Sequence, residues 1–134
     1  MRVFKNTWFS KFARKEKISD GELKKIVKQL EEGQAEADLG GGVYKVRQAC
    51  PGKGKSGGHR VIVLFKSKFR TFFVYAFSKS DRSNISEDEL RIFKDRAKDV
   101  FSSTEEQINA RVKKGTFIEI LIGDTHEKIQ KRNL

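Results

Sequence analysis

The chain has 134 residues, 37% of them hydrophobic and 35% charged, with a formal net charge of +11. That length suits one domain with its own core; no apolar run reaches the roughly 20 residues of a membrane span, and the N-terminus lacks the apolar stretch of a secretory signal. The single cysteine, Cys50, cannot form an intrachain disulfide, which points to a reducing cytoplasm, and with only His59 and His126 beside it no metal site or other cofactor is expected.

Val3-Phe4-Lys5 reads as a short first strand, after which Asn6 or Thr7 can cap a helix. Trp8, Phe9, Phe12 and Ala13 fall on its apolar side and are expected in the core, with Lys11, Arg14 and Lys15 opposite. Ser19 with Glu22 has the spacing of a capping box; Leu23, Ile26, Val27 and Leu30 then repeat at helical intervals until Gly33. Residues 37–42, Ala-Asp-Leu-Gly-Gly-Gly, read as a turn, and Val43 to Gln48 alternates as a strand. Pro51 to Gly58 is a loop of four glycines, two lysines and a serine. The β-branched and aromatic runs 60–65 and 71–77, joined by the turn Lys66-Ser67-Lys68, are apolar enough to be central strands covered by helices on at least one face.

A second capping box, Ser86 with Glu89, opens a helix with the apolar stripe Leu90, Phe93, Ala97, Val100 and Phe101. Ser103 with Glu106 opens another, ending at Gly115; residues 116–122 offer a last strand and 123–134 a charged, frayed tail. The expected fold is α+β, with a small, mainly antiparallel sheet of about four strands, an N-terminal helical hairpin and C-terminal helices.

The charge is unevenly spread. Residues 1–42 carry nine Lys/Arg against seven Asp/Glu, residues 83–134 carry ten against ten, and residues 43–82 carry ten against Asp81 alone. Uncompensated positive charge costs folding energy by self-repulsion and raises the local concentration of anions. A polyanion, RNA above all, is therefore the expected partner of the middle third.

Residues 49–56, Ala-Cys-Pro-Gly-Lys-Gly-Lys-Ser, satisfy a relaxed phosphate-loop pattern, but a true one opens a helix and this one precedes a β-branched strand. With one acid in the segment, paired-carboxylate and metal-assisted hydrolysis lack their groups, and no nucleophile elbow is present. Lysines, arginines and a histidine instead suit cleavage of RNA by its own 2′-hydroxyl, which needs a base, cations for the phosphorane and a proton for the leaving oxygen. Arg47 and Arg60 could clamp phosphate oxygens; Lys53 or Lys55, crowded by other cations, could act as base; His59 titrates in the useful range, although a plain loop residue is its commoner role.

Four pieces occur in one order: Asp-Leu-Gly-Gly-Gly at 38–42, Lys-x-Arg at 45–47, Gly-Lys-Gly-Lys-Ser-Gly-Gly-x-Arg at 52–60 and Phe-x-Lys-x-Asp-Arg-x-Asn-Ile at 77–85. In this the chain resembles the RelE/HigB-like toxins of bacterial type II toxin–antitoxin systems over about residues 1–115, with 116–134 outside the match. The resemblance implies a compact toxin that cleaves mRNA in the ribosomal A site and is silenced by a cognate antitoxin, often a helix-turn-helix repressor. Carried over by position, the family's basic residues fall on Lys45 and Arg47, Lys53 and Lys55, Arg60, and Lys79 with Arg82; with His59 added from its own chemistry, the expected catalytic set is Arg60, Lys53, Lys55, Lys79, Arg82 and His59, and Lys45, Arg47, Lys66 and Lys68 are expected RNA phosphate contacts. Two positions depart from the family pattern. Ser80 stands where the better-known motif has an arginine after the lysine, and Ser86 stands near the place of the aromatic residue that stacks on the substrate base. Two other functions use the same cations: a non-catalytic RNA- or DNA-binding module, and a gyrase-directed ParE-like toxin acting through protein contacts.

Overall fold

The computed structural model describes residues 1–48 and 58–121. Strand β1 (Arg2–Asn6) runs directly into helix α1 (Thr7–Lys15), because the Asn6 side chain accepts a 2.7 Å hydrogen bond from the Phe9 N–H and caps the first turn. Helix α2 (Asp20–Glu31), strands β2 (Ala37–Gly40), β3 (Val43–Gln48), β4 (His59–Lys66) and β5 (Arg70–Ser78), helices α3 (Glu87–Ser102) and α4 (Glu105–Lys114), and strand β6 (Phe117–Ile120) follow.

The strands form one sheet in the order β2-β3-β4-β5-β1-β6. Only the β1–β5 pair is parallel; the other neighbours are antiparallel. Side chains alternate across the sheet, so β4 and β5 feed two cores. Val61, Val63 and Phe73 pack under α1 and α2 with Phe9, Leu23, Ile26 and Leu30. Ile62, Leu64 and Phe72 pack on the other face with Ala97, Val100 and Ile108 of α3 and α4. Burial on both faces is what the unbroken apolar runs of these strands encode.

Several expectations are corrected. Among the described residues the sheet has six strands, not about four. The stretch read as a turn begins with β2, because its backbone pairs with β3 from Ala37 opposite Lys45 to Gly40 opposite Val43. The reversal itself is confined to Gly40, Gly41 and Gly42, all at positive φ. β6 joins the opposite edge by pairing with β1. The first two helices follow β1, and α1 packs along β5 and β1. Ser19 caps α2, but the Glu22 carboxylate accepts from Gln48 Nε2 at 2.9 Å, tying the helix to the end of β3. The capping box of α4 is Thr104 with Gln107, one residue beyond the expected Ser103 with Glu106. Trp8, expected in the core, is 43% exposed. Among the described residues, no helix is long and apolar enough to cross a membrane.

Arg70, one of the ten cations of the middle segment, serves the fold. It is 2% exposed, and its Nη1 donates to the carbonyls of Val100 (2.6 Å) and Ser103 (2.8 Å), while Nη2 meets Glu105 at 2.8 Å. The guanidinium thus satisfies carbonyls at the C-terminal end of α3, which a helix leaves without partners, and pins the α3–α4 corner to the sheet. Glu105 also receives Arg2 at 2.8 Å, and its carboxyl is lowered below the usual carboxylate range, first by the Arg70 hydrogen bond and then by that of Arg2. Arg70→Met keeps the volume but leaves two buried carbonyls without donors. It should cost about 2–4 kcal/mol in urea unfolding, and an unchanged midpoint would remove Arg70 from this role.

Candidate functional site

The register of β3 against β4 sets Lys45 opposite Ile62 and Arg47 opposite Arg60; Arg60 in turn faces Phe77 of β5. Because these positions share one parity, Lys45, Arg47 and Arg60 issue from the same face, the α3 side, at the end of the sheet where β4 begins. Arg82, in the connection after β5, reaches that face: its guanidinium lies 5.8 Å from the centre of the Phe77 ring, and Nη1 donates to the Tyr75 hydroxyl at 3.2 Å.

Acidic residues from outside the basic segment position these cations. Glu36, just before β2, takes Arg60 Nε at 3.0 Å on both carboxylate oxygens and lies 3.8 Å from Lys45 Nζ. Glu89 of α3 pairs with Arg82, which also donates through Nε to the Asn84 carbonyl at 2.9 Å. The Asn84 side-chain oxygen is 3.5 Å from Lys45 Nζ, so a continuous polar chain runs Arg82–Asn84–Lys45–Glu36–Arg60. Glu89 also accepts from the Ser86 N–H as the far half of the α3 capping box. The Arg82 hydrogen bond, with that backbone donor second, holds the Glu89 carboxyl down at about 2. The four cations therefore keep two carboxylates among them, and the patch is less positive than the sequence run suggests.

The other expected site residues separate. His59 neighbours Arg60 and so projects to the opposite face, where its ring meets Phe12 edge-on at 5.1 Å. Its Nδ1 is 3.3 Å from Gln48 Oε1 and its Nε2 is 3.2 Å from Glu16 Oε1. His59 is 6% exposed and brackets α1 to the sheet end. Lys66 and Lys68 lie at the other end of β4, about 20 Å along the strand from Arg60 at roughly 3.3 Å per residue. Lys79 is exposed in the turn after β5, at the same end as Arg82. Lys53 and Lys55 lie outside the described residues.

Glu36, Tyr75, Asn84 and Glu89 were not singled out in sequence as parts of the site. Tyr75 had a signal, since it shares strand parity with Phe77, which pairs with Arg60. Glu89 was visible only as a cap. Glu36 pairs across 24 residues of chain and carries no local mark.

The family model described as the RelE toxin of the RelE/RelB toxin–antitoxin system matches residues 1–120, from the start of the chain through β6. No curated protein matches the chain. The matched span holds the six strands and four helices found among the described residues, with the cationic cluster at the end of β3 and β4, and by that match the chain belongs to the RelE toxin family, whose members are paired with an antitoxin.

Proposed function

We propose that this toxin is a ribosome-dependent, metal-independent mRNA endoribonuclease. The observation that supports it most is the convergence of Lys45, Arg47, Arg60 and Arg82 on one face, held by Glu36 and Glu89. A phosphodiester cleaved by its neighbouring 2′-hydroxyl passes through a crowded, doubly charged phosphorane, and fixed guanidinium groups stabilise that charge without reorganising. In this reading a base takes the 2′-hydroxyl proton, O2′ attacks phosphorus, the bond to O5′ breaks and O5′ takes a proton, leaving a 2′,3′-cyclic phosphate. With Nε of Arg60 committed to Glu36, its terminal nitrogens are the ones offered to phosphate. The base is assigned to Lys53 or Lys55, on the chemistry of crowded lysines alone. His59 is left to position α1, and Lys79 contributes further phosphate contact. The ribosome presents the mRNA strand, and the antitoxin covers the patch.

A binding module without catalysis is the second reading, favoured by one observation: the cluster's described cations are three arginines, of which Arg60 and Arg82 are held by hydrogen bonds, and a single lysine. Primer extension on cellular mRNA after induced expression separates the two, since only the nuclease leaves breaks positioned by codon. Replacing Arg60 and Arg82 together by Gln should lower cleavage by about 100-fold or more and relieve growth arrest, with the far-unfolding transition kept near that of the parent. Undiminished cleavage in the folded double variant overturns the assignment.

The Glu89 pair has a signature of its own. Its carboxyl is depressed in the folded chain, so the stabilisation from Arg82 is complete above the ordinary value of 4.5 and is lost as pH falls through about 2. A carbon-detected NMR titration should find Glu89 ionising near pH 2 and returning toward 4.5 in Arg82→Ala. A Glu89 that titrates near 4.5 with Arg82 present contradicts the pairing.

A further inference from the structure

Gln48 and His59 form the last pair of the β3–β4 ladder, next to the Arg47–Arg60 pair of the cationic cluster. Strand alternation points their side chains away from that cluster, toward α1 and α2, and both are buried, at 7% and 6% exposure. The Gln48 amide donates through Nε2 to Glu22 in the first turn of α2 at 2.9 Å, so its Oε1 is the atom turned to His59 Nδ1, at 3.3 Å. On the other side of the ring, His59 Nε2 lies 3.2 Å from Oε1 of Glu16, the C-terminal cap of α1.

These contacts fix where the hydrogens are. An amide oxygen and a carboxylate accept and have no hydrogen to give, so each ring nitrogen faces an acceptor, and only the imidazolium donates from both. A neutral ring would turn a lone pair on Gln48 or on Glu16. Flipping the Gln48 amide gives no relief, because its oxygen would then meet the Glu22 carboxylate. A charge with so little exposure persists only where it is paired and hydrogen-bonded, and Phe12, its ring 5.1 Å away at 82°, closes a third side. Around the same depression stand Lys15 of α1, and Asp81 and Arg82 of the connection after β5, where His59 pairs with the uncharged Ser78. Arg82 is committed to Glu89, and Lys15 and Asp81 offset one another in sign.

We propose that the His59 imidazolium is a pH-sensitive latch that holds α1 and α2 on the end of the β3–β4 ladder. One charged ring ties three elements: α1 through Glu16, α2 through Gln48 and Glu22, and the strand pair itself. When the ring gives up a hydrogen, one of its two contacts turns repulsive. Glu16 is the end that yields, since its side chain is 31% exposed and can turn to water, whereas Gln48 stays buried against Glu22. The sign follows from the charges. The latch is closed where the ring is charged and the carboxylates are ionised, and it opens as pH rises. Opening frees the last turn of α1 and loosens Phe12 with Trp8, which is stacked on it at 5.3 Å. The latch stands whether or not the chain cleaves RNA.

Nitrogen-15 NMR of the imidazoles in the full chain reads the hydrogens directly. At about pH 6, His59 should show two N–H protons, both protected from exchange with water, and Glu16→Ala should expose the Nε2 proton alone. Trp8 is the only tryptophan in the chain, so its emission reports the release of α1. From about pH 6 to about pH 9 the emission should move to the red in the parent and stay constant in His59→Gln. Over the same range the unfolding constant from urea titration should rise about tenfold more in the parent than in His59→Gln. Glu16→Ala makes the same comparison where His59→Gln does not fold: its emission should already be red-shifted at the lower pH and should not move further. A His59 ring with a single N–H at the lower pH overturns the latch, as does a variant whose emission and unfolding follow pH as the parent's do.

Discussion

Like charges do not gather on one sheet face unaided. Two unit charges about 6 Å apart near a protein surface repel by roughly 3 kcal/mol at an effective dielectric of about 20. This fold meets that cost with carboxylates delivered from outside the strands: Glu36 from the approach to β2, against Arg60 and Lys45, and Glu89 from the first turn of α3, against Arg82. The pairs compensate repulsion and fix direction at the same time. Arg60, held through Nε, keeps its two terminal nitrogens outside that pair as a planar fork of the kind that binds phosphate, whereas Arg82 spends Nε and both terminal nitrogens on Asn84, Tyr75 and Glu89. The surface thereby gives up some charge and gains order.

The same logic divides the basic segment by task. Arg70 is enclosed to satisfy the end of α3, Arg60 and Arg82 are half-committed to acids, and Lys66 and Lys68 are left to solvent at the far turn. Position along a strand decides which task falls to which cation. Parity selects the face, so His59 and Arg60, adjacent in sequence, serve opposite sides of the sheet: the histidine secures α1, and the arginine joins the cationic cluster through Glu36. Distance along β4 selects the end.

Much of this was legible from residue types. The runs 60–65 and 71–77 read as central strands covered on at least one face, and both faces are covered; Ser86 with Glu89 marked the start of α3 as found. The concentration of cations in residues 43–82 pointed to the part of the chain where Lys45, Arg47, Arg60 and Arg82 share one face. What local pattern could not carry were relations across chain distance. Ala37–Gly40 has no strand composition and becomes β2 because β3 offers it a ladder. Glu36 and Arg60 meet only once the sheet exists. Trp8 lies on the apolar side of α1 by periodicity, yet beyond the end of β1 it is covered only in part, by Phe12 and Tyr75. Charge counted along the chain also overstates charge in space, because the neutralising acids come from other segments.

The central claim is that four cations at one end of the sheet form a single anion site. The salt dependence of RNA binding tests it, since each phosphate contact on a single strand contributes about −0.7 to the slope of log K against log salt. Replacing Arg60 by Gln should reduce the slope by about that amount, whereas replacing Lys66 and Lys68 together should leave it unchanged. Equal losses from the two ends would mean that RNA is held by diffuse charge over the whole sheet, and the account of a focused site would be wrong.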